Sequence, residues 1–289
     1  MWEKTCPLPA RRSSRWNLKK QTEPTLSTSL FNKYQARWKS TGSLLCVGLD
    51  SDITQLPDCV RAEANPIWEF NRRIIDSSAA SACAYKPNLA FYLNDGLRGL
   101  EALQKTVEYI PAEIPVILDC KVGDIGNTME QYAVAFFDHL KVDAITLNPL
   151  MGTDVMQPIL QREGAFAFAL ALTSNLSAQD FFLDGGMDEK VSQWIDGFPP
   201  DRLGAVVGAT QSKDLKRMRR LLPGRIFLIP GIGAQGGDLD SVLRSAAESS
   251  DQPNILINSS RGIIFREKTP QFAQAAGEAA KELNQLIVV

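Results

Sequence analysis

The feature that most restricts what this chain can fold into is a sustained alternation of short apolar runs with amphipathic stretches, from about Leu30 onward. The apolar runs read as strands at Leu44–Asp50, Cys83–Pro87, Pro115–Lys121, Asp143–Asn148, Ala165–Ser174, Leu203–Ala209, Arg225–Pro230 and Asn254–Asn258. The stretches between them space apolar residues for one helix face, as Trp68, Phe70, Ile74 and Ile75 do in Ile67–Ala80, and Leu97, Leu100, Leu103 and Val107 in Tyr92–Tyr109. Further helices are expected at Asn127–Leu140, Asp154–Gln161, near Asp188–Asp196, and at Gln211–Leu222, Leu239–Ala247 and Pro270–Leu286. Continuously apolar strands are the kind buried on both faces, and strict strand–helix alternation implies parallel strands with right-handed crossovers. Eight such units in roughly 250 residues make an α/β chain of the (β/α)8 TIM-barrel class. A doubly wound open sheet is the competitor. It would show a Gly-rich phosphate turn after the first strand, where this chain has Asp50-Ser51-Asp52.

The third strand carries the densest chemistry. Val116-Ile117-Leu118-Asp119-Cys120-Lys121-Val122-Gly123-Asp124 begins as a β-branched apolar run and ends with three charges within six residues. Strand alternation predicts that Asp119 and Lys121 share a face, with Asp124 following after a turn at Gly123. Unpaired, such charges would each cost several kcal/mol at a buried strand end. The cluster therefore pairs internally or acts on a ligand, and a structural ion pair is the plain reading of the pattern alone.

In a (β/α)8 barrel the site lies at the C-terminal strand ends. Here these ends hold Asp50, Lys86, Asp119 with Lys121, Asn148, Ser174, Pro230, and Ser260 with Arg261. Individually, Asp50, Asn148 or Ser174 could be no more than a helix cap. The last two loops are more specific. Pro230-Gly231-Ile232-Gly233-Ala234-Gln235-Gly236-Gly237 has four glycines within seven residues, and Ser259-Ser260-Arg261-Gly262 adds a guanidinium. Loops after the seventh and eighth strands are the usual phosphate site of this barrel, so a phosphorylated ligand gripped by Gln235 and Arg261 is expected. Lys86 and Lys121 would then neutralise developing charge or donate a proton. A Schiff-base lysine would favour a neutral, desolvated amine, whereas these lysines have carboxylate neighbours.

Composition narrows the field. A formal net charge of −2 gives no reason to expect nucleic acid, and no apolar run is long enough to span a bilayer. The single histidine, His139, lies on a helical stretch, which excludes a multi-His metal site and leaves a Ser-His-Asp triad only that residue. Five scattered cysteines without a C-x-x-C pair fit a reducing compartment, so a cytoplasmic protein is expected. Residues 1–29 are basic and rich in Pro, Ser and Thr, and read as a mobile tail before one catalytic barrel over 30–289. An organelle transit peptide or a mis-assigned start would share that composition.

The residues at this point resemble the orotidine 5′-phosphate decarboxylase family, in its longer bacterial-type branch, over about Phe31 to Phe265. The resemblance is carried by Leu45-Cys46-Val47-Gly48-Leu49-Asp50, Tyr85-Lys86-Pro87-Asn88, Asp119-Cys120-Lys121-Val122-Gly123-Asp124-Ile125-Gly126-Asn127-Thr128, Thr173-Ser174-Asn175, Val206-Val207-Gly208-Ala209-Thr210, the glycine loop after Pro230, and Ser259-Ser260-Arg261-Gly262. It implies a cofactor-free, metal-free decarboxylation giving uridine 5′-phosphate. It further implies a charged tetrad of Lys86, Asp119, Lys121 and Asp124, with Lys121 protonating C6 and Asp119 against the substrate carboxylate. By the same resemblance Asp50 and Lys86 contact the ribose, Ser174 the pyrimidine edge, and Pro230, Gln235, Arg261 and Gly262 the phosphate end. Asp124, Ile125 and Thr128 reach the neighbouring subunit's site, which implies a homodimer. The branch usually has alanine and arginine where this chain has Cys120 and Val122. Both lie one residue off the inward set and are expected to face away from the substrate. Two other readings stay open: a metal-dependent sugar-phosphate decarboxylase or aldolase sharing the D-x-K-x-x-D pattern, and a barrel that binds a nucleotide without catalysis.

Overall fold

A computed structural model describes residues 29–208, 212–231 and 239–287. The tail through Thr28 and the loop segment holding Gln235 lie outside the described residues. The eight expected strands are present as β1 (Leu45–Leu49), β2 (Ala84–Pro87), β3 (Ile117–Val122), β4 (Ala144–Leu147), β5 (Phe166–Leu172), β6 (Leu203–Val207), β7 (Phe227–Pro230) and β8 (Ile255–Ser259). All neighbours pair in parallel, in the order β2-β1-β8-β7-β6-β5-β4-β3. Isolated parallel bridges at Tyr85↔Val116 and Asn88↔Asp119 join β2 to β3 and close the barrel. These bridges bring the two outer strands of the order together, and residues of β1, β6 and β8 are buried along their whole length.

Helices cover the outside. The helix Pro66–Ser78 starts with Asn65 accepting a bond from Trp68 N and a proline in its first turn, a signal visible in the sequence. It buries Phe70 between Phe265 and Phe272, with ring centroids 5.4 and 5.1 Å away, and so ties the C-terminal helix Phe272–Leu286 to the barrel's first half. The expected helix Tyr92–Tyr109 is broken into Leu89–Leu93 and Gly96–Tyr109, because Gly96 adopts a left-handed φ of 61°. The helix expected over Asp154–Gln161 is a 3-10 segment, Pro149–Val155, followed by one turn at Gln157–Leu160. Among the described residues no helix is long and apolar enough to cross a membrane.

The longest of the helices that were not expected precedes the first strand. Leu30–Thr41, here α1, lies across the N-terminal ends of the strands. Ser29 caps it by accepting from Asn32 N at 3.2 Å, and Gly42 ends it with φ 68°. Tyr34 Oη accepts from Ile255 N at 3.3 Å, and Arg37 donates to the carbonyls of Ala79 and Ala82. Lys33 Nζ meets Asp143 Oδ1 at 2.6 Å, while Asp143 Oδ2 accepts from Val116 N at 2.8 Å. Through these contacts α1 anchors the starts of β3, β4 and β8. Burial pushes the Asp143 carboxyl above its ordinary range, and Lys33 opposes that shift. Lys33→Met should therefore leave a buried carboxylate without its cation and lower stability by roughly 3 kcal/mol in urea unfolding. Adding Asp143→Asn should recover most of that loss, since the amide oxygen still accepts from Val116; an unchanged midpoint in the single variant would contradict this anchoring.

Candidate active site

The charged residues at the ends of β1, β2 and β3 converge at the C-terminal mouth of the barrel. Asp119 Oδ2 accepts from Lys86 Nζ at 2.9 Å, and Asp119 Oδ1 accepts from Lys121 Nζ at 2.5 Å. Lys86 Nζ also stands 3.9 Å from Asp50 Oδ1. The Lys86 and Asp119 side chains are 5% and 11% exposed, whereas Lys121 is 52% exposed at the rim. Burial alone would raise the Asp119 carboxyl; Lys86 and then Lys121 outweigh it and hold the group far below the carboxylate range. Burial would likewise lower the Lys86 ammonium, but Asp119 and Asp50 overcome it and keep Lys86 charged.

Local backbone geometry makes this meeting possible. β3 pairs with β4 at Leu118↔Ile145 and again at Val122↔Leu147, so Asp119, Cys120 and Lys121 stand opposite the single residue Thr146. This is a β-bulge, and within it Lys121 has a left-handed φ of 48°. For a non-glycine residue that conformation costs about 1–3 kcal/mol. Simple alternation therefore does not account for the shared position of Asp119 and Lys121; the bulge turns the chain so that they meet. Thr146 Oγ1 accepts from Cys120 N at 3.0 Å and Lys121 N at 2.9 Å, and donates to Asp119 Oδ1 at 2.9 Å. Just beyond, a Cβ on Gly123 would stand 2.3 Å from the Asn148 carbonyl, so only glycine lets β3 leave the barrel this close to the end of β4.

Two adjoining cavities of about 180 and 340 Å³ share Lys86, Asp119, Ser174 and Pro230 as walls. The first adds Asp50, Gly231, Asn258, Arg261 and Gly262, and is polar. The second adds Lys121, Thr146, Thr173 and Asn175 over an apolar floor of Leu170, Val206 and Leu228. The loop after β8 is drawn to β1 by Ser260, whose Oγ donates to Gly48 O at 3.1 Å. A Cβ on Gly48 would meet Ser260 Cβ at 2.8 Å.

Eight of the residues singled out from the sequence, Asp50, Lys86, Asp119, Lys121, Ser174, Pro230, Arg261 and Gly262, thus line one connected space. Asp124, Ile125 and Thr128 line neither cavity. The Asp124 carboxylate accepts from Ile125 N at 2.8 Å, Ile125 is 52% exposed, and Thr128 is exposed. Cys120 and Val122 also line neither cavity. Cys120 Sγ points to the Thr146 carbonyl at 3.6 Å, and burial pushes its thiol up to about 12, which leaves it protonated and unreactive. Sequence reasoning missed Thr146 and the apolar floor. A lone hydroxyl inside the buried run Ala144-Ile145-Thr146-Leu147 was the available signal for the first.

Known proteins resemble this chain in sequence and in fold. Residues 43–276 match the family model described as orotidine 5′-phosphate decarboxylase / HUMPS family. The orotidine 5′-phosphate decarboxylase of Parabacteroides distasonis is 44% identical over 259 residues, covering 86% of this chain and 91% of the relative. That of Bacteroides fragilis strain YCH46 is 42% identical, covering 86% and 93%. The solved structure of Leishmania donovani OMP decarboxylase superposes with a TM-score of 0.74 at 34% identity, covering 90% of this chain and 97% of that one. A parallel eight-stranded barrel, lysines and carboxylates gathered at its mouth, and likeness along most of the sequence lead to one assignment: the chain belongs to the orotidine 5′-phosphate decarboxylase family.

Proposed function

We propose that the protein decarboxylates orotidine 5′-phosphate to uridine 5′-phosphate and carbon dioxide, without a metal or organic cofactor, in pyrimidine nucleotide synthesis. The observation that carries this reading is an ionised Asp119 fixed between two ammonium groups beside an apolar floor of Leu170, Val206 and Leu228. The polar cavity with Arg261 suits the phosphate and ribose, with Asp50 and Lys86 toward the ribose hydroxyls. The apolar one suits the pyrimidine, with Ser174 at its edge. A substrate carboxylate directed at Asp119 meets a like charge that cannot move away. When the C6–carboxylate bond breaks, the electron pair stays on C6 and neutral carbon dioxide leaves over the apolar floor. Lys121 Nζ then gives its proton to C6 and is recharged from solvent at the exposed rim. Fixed charges that favour the carbanion-like state over the ground state lower the barrier.

The metal-dependent lyase is the second reading. It needs paired carboxylates free to hold a cation, yet the Asp119 carboxylate is already taken up by Lys86, Lys121 and Thr146. Orotidine 5′-phosphate absorbance should therefore fall with purified protein equally with and without EDTA, and Lys121→Ala should lower turnover at least about 10³-fold while largely keeping uridine 5′-phosphate binding. EDTA-abolished turnover would assign the metal-dependent reaction. Tight nucleotide binding without turnover would assign a binding-only barrel.

The exposed Ile125 and Thr128, beside a half-buried Asp124 that lines neither cavity, support a homodimer in which each subunit completes its partner's site. Lys121→Ala and Asp124→Ala proteins, each inactive alone, should then regain about a quarter of wild-type activity when unfolded and refolded together, because half the dimers are mixed and each holds one intact site. No recovery would show that Asp124 serves its own chain. Free thiols at Cys46, Cys59, Cys83 and Cys120 support a reducing, cytoplasmic setting.

The Asp119 environment also fixes a pH dependence. Its carboxyl is held below the ordinary value of about 3.9, so its contribution to stability is complete above that value and fades as pH falls toward the folded-state value. Carbon-13 NMR of the aspartate carboxyls should show no titration of Asp119 above about pH 4, and one assigned to it above about pH 5 would contradict the geometry.

A further inference from the structure

We infer that Thr146 is a positioning residue for the reaction, whose hydroxyl latches the β3 bulge and holds Asp119 and Lys121 in place throughout turnover. The inference rests on the decarboxylase reading and concerns a residue outside the charged cluster. Thr146 is the one residue of β4 that faces the three of β3 between the pairs Leu118↔Ile145 and Val122↔Leu147. The strand ladder therefore lacks partners for the successive N–H groups of Cys120 and Lys121. Both go to Thr146 Oγ1 instead, at 3.0 and 2.9 Å. A hydroxyl has one proton and two lone pairs. With both lone pairs occupied by these amides, its proton is aimed at Asp119 Oδ1, 2.9 Å away. Thr146 is 2% exposed, and its hydroxyl makes all three bonds to protein atoms.

Two consequences follow. The amide bonds hold Lys121 in its left-handed conformation, which a lysine released from them would leave for ordinary extended backbone. The bond to Asp119 matters most after proton transfer. Lys121 then becomes a neutral amine, and Asp119 Oδ1 loses its charged donor. Thr146 on Oδ1 and Lys86 on Oδ2 remain, so the carboxylate stays aimed at the same point while Lys121 is recharged.

Thr146→Val keeps the side-chain shape and removes the hydroxyl; Thr146→Ala removes both; Thr146→Ser restores the hydroxyl alone. Wild-type turnover of orotidine 5′-phosphate comes first, since its absence would strike the decarboxylase reading rather than this one. With the wild type active, the Val and Ala variants should lose about 10- to 100-fold in kcat, the size of a lost hydrogen bond to a charged group. KM and the calorimetric Kd of uridine 5′-phosphate should stay within about threefold, because phosphate and ribose contacts lie in the other cavity. Thr146→Ser should recover most of the lost kcat. Unchanged kcat in the Val variant would overturn the inference. So would a parallel loss of nucleotide affinity, a Ser variant as impaired as Ala, or unfolding of both Val and Ala variants in thermal melts while Ser stays folded, which would make the hydroxyl a requirement of stability alone.

Discussion

A carboxylate cannot be left alone in a protein interior, and the arrangement of this barrel follows from how Asp119 escapes that condition. Lys86, Lys121 and Thr146 together give it three donors, two of them cationic. The Coulombic gain offsets the desolvation that burial imposes and holds the group ionised. Each donor arrives from a different element: Lys86 from β2, Lys121 from the β3 bulge, Thr146 from β4. The charge cluster is thus a junction among three neighbouring strands. It sits where β2 and β3 meet only through isolated bridges, the seam at which the barrel closes.

The molecule separates its stabilising and reactive ends along the strand direction. At the N-terminal face, α1 covers the barrel and satisfies backbone groups with Tyr34 and Arg37. At the C-terminal face, the polar cavity and the apolar cavity meet over Lys86 and Asp119. A ligand spanning both would place its charged end beside Arg261 and Gly262, and its ring over the apolar floor. Binding energy from the remote end can then hold a substrate carboxylate against a carboxylate that repels it.

Much of this was legible in the sequence. Parallel barrel strands are buried on both faces, so each appears as an unbroken apolar run, and eight runs give the barrel directly. Strand ends are the only places where such runs turn polar, which is why Asp50, Lys86, Asp119 and Arg261 could be named before any coordinates. α1 was overlooked because its composition is mostly polar, although Leu30, Tyr34 and Trp38 recur at helical spacing. The break at Gly96 was masked by the strong periodicity on either side of it. Asp119 and Lys121 were expected together for an incomplete reason. Alternation describes a regular strand, whereas a bulge depends on the register against β4, which no single strand's sequence contains. The same non-local origin hid Thr146, whose hydroxyl matters only because of what stands opposite it.

The central claim is that Lys121 handles the proton at C6 within a fixed set of charges. Its most direct test is proton NMR of uridine 5′-phosphate incubated with the protein in deuterium oxide, in the presence of EDTA. By microscopic reversibility, the wild-type protein should replace the C6 hydrogen with deuterium, and Lys121→Ala should not, although it still binds the nucleotide. Exchange that persists in Lys121→Ala, or that stops when EDTA is added to the wild type, would contradict the account.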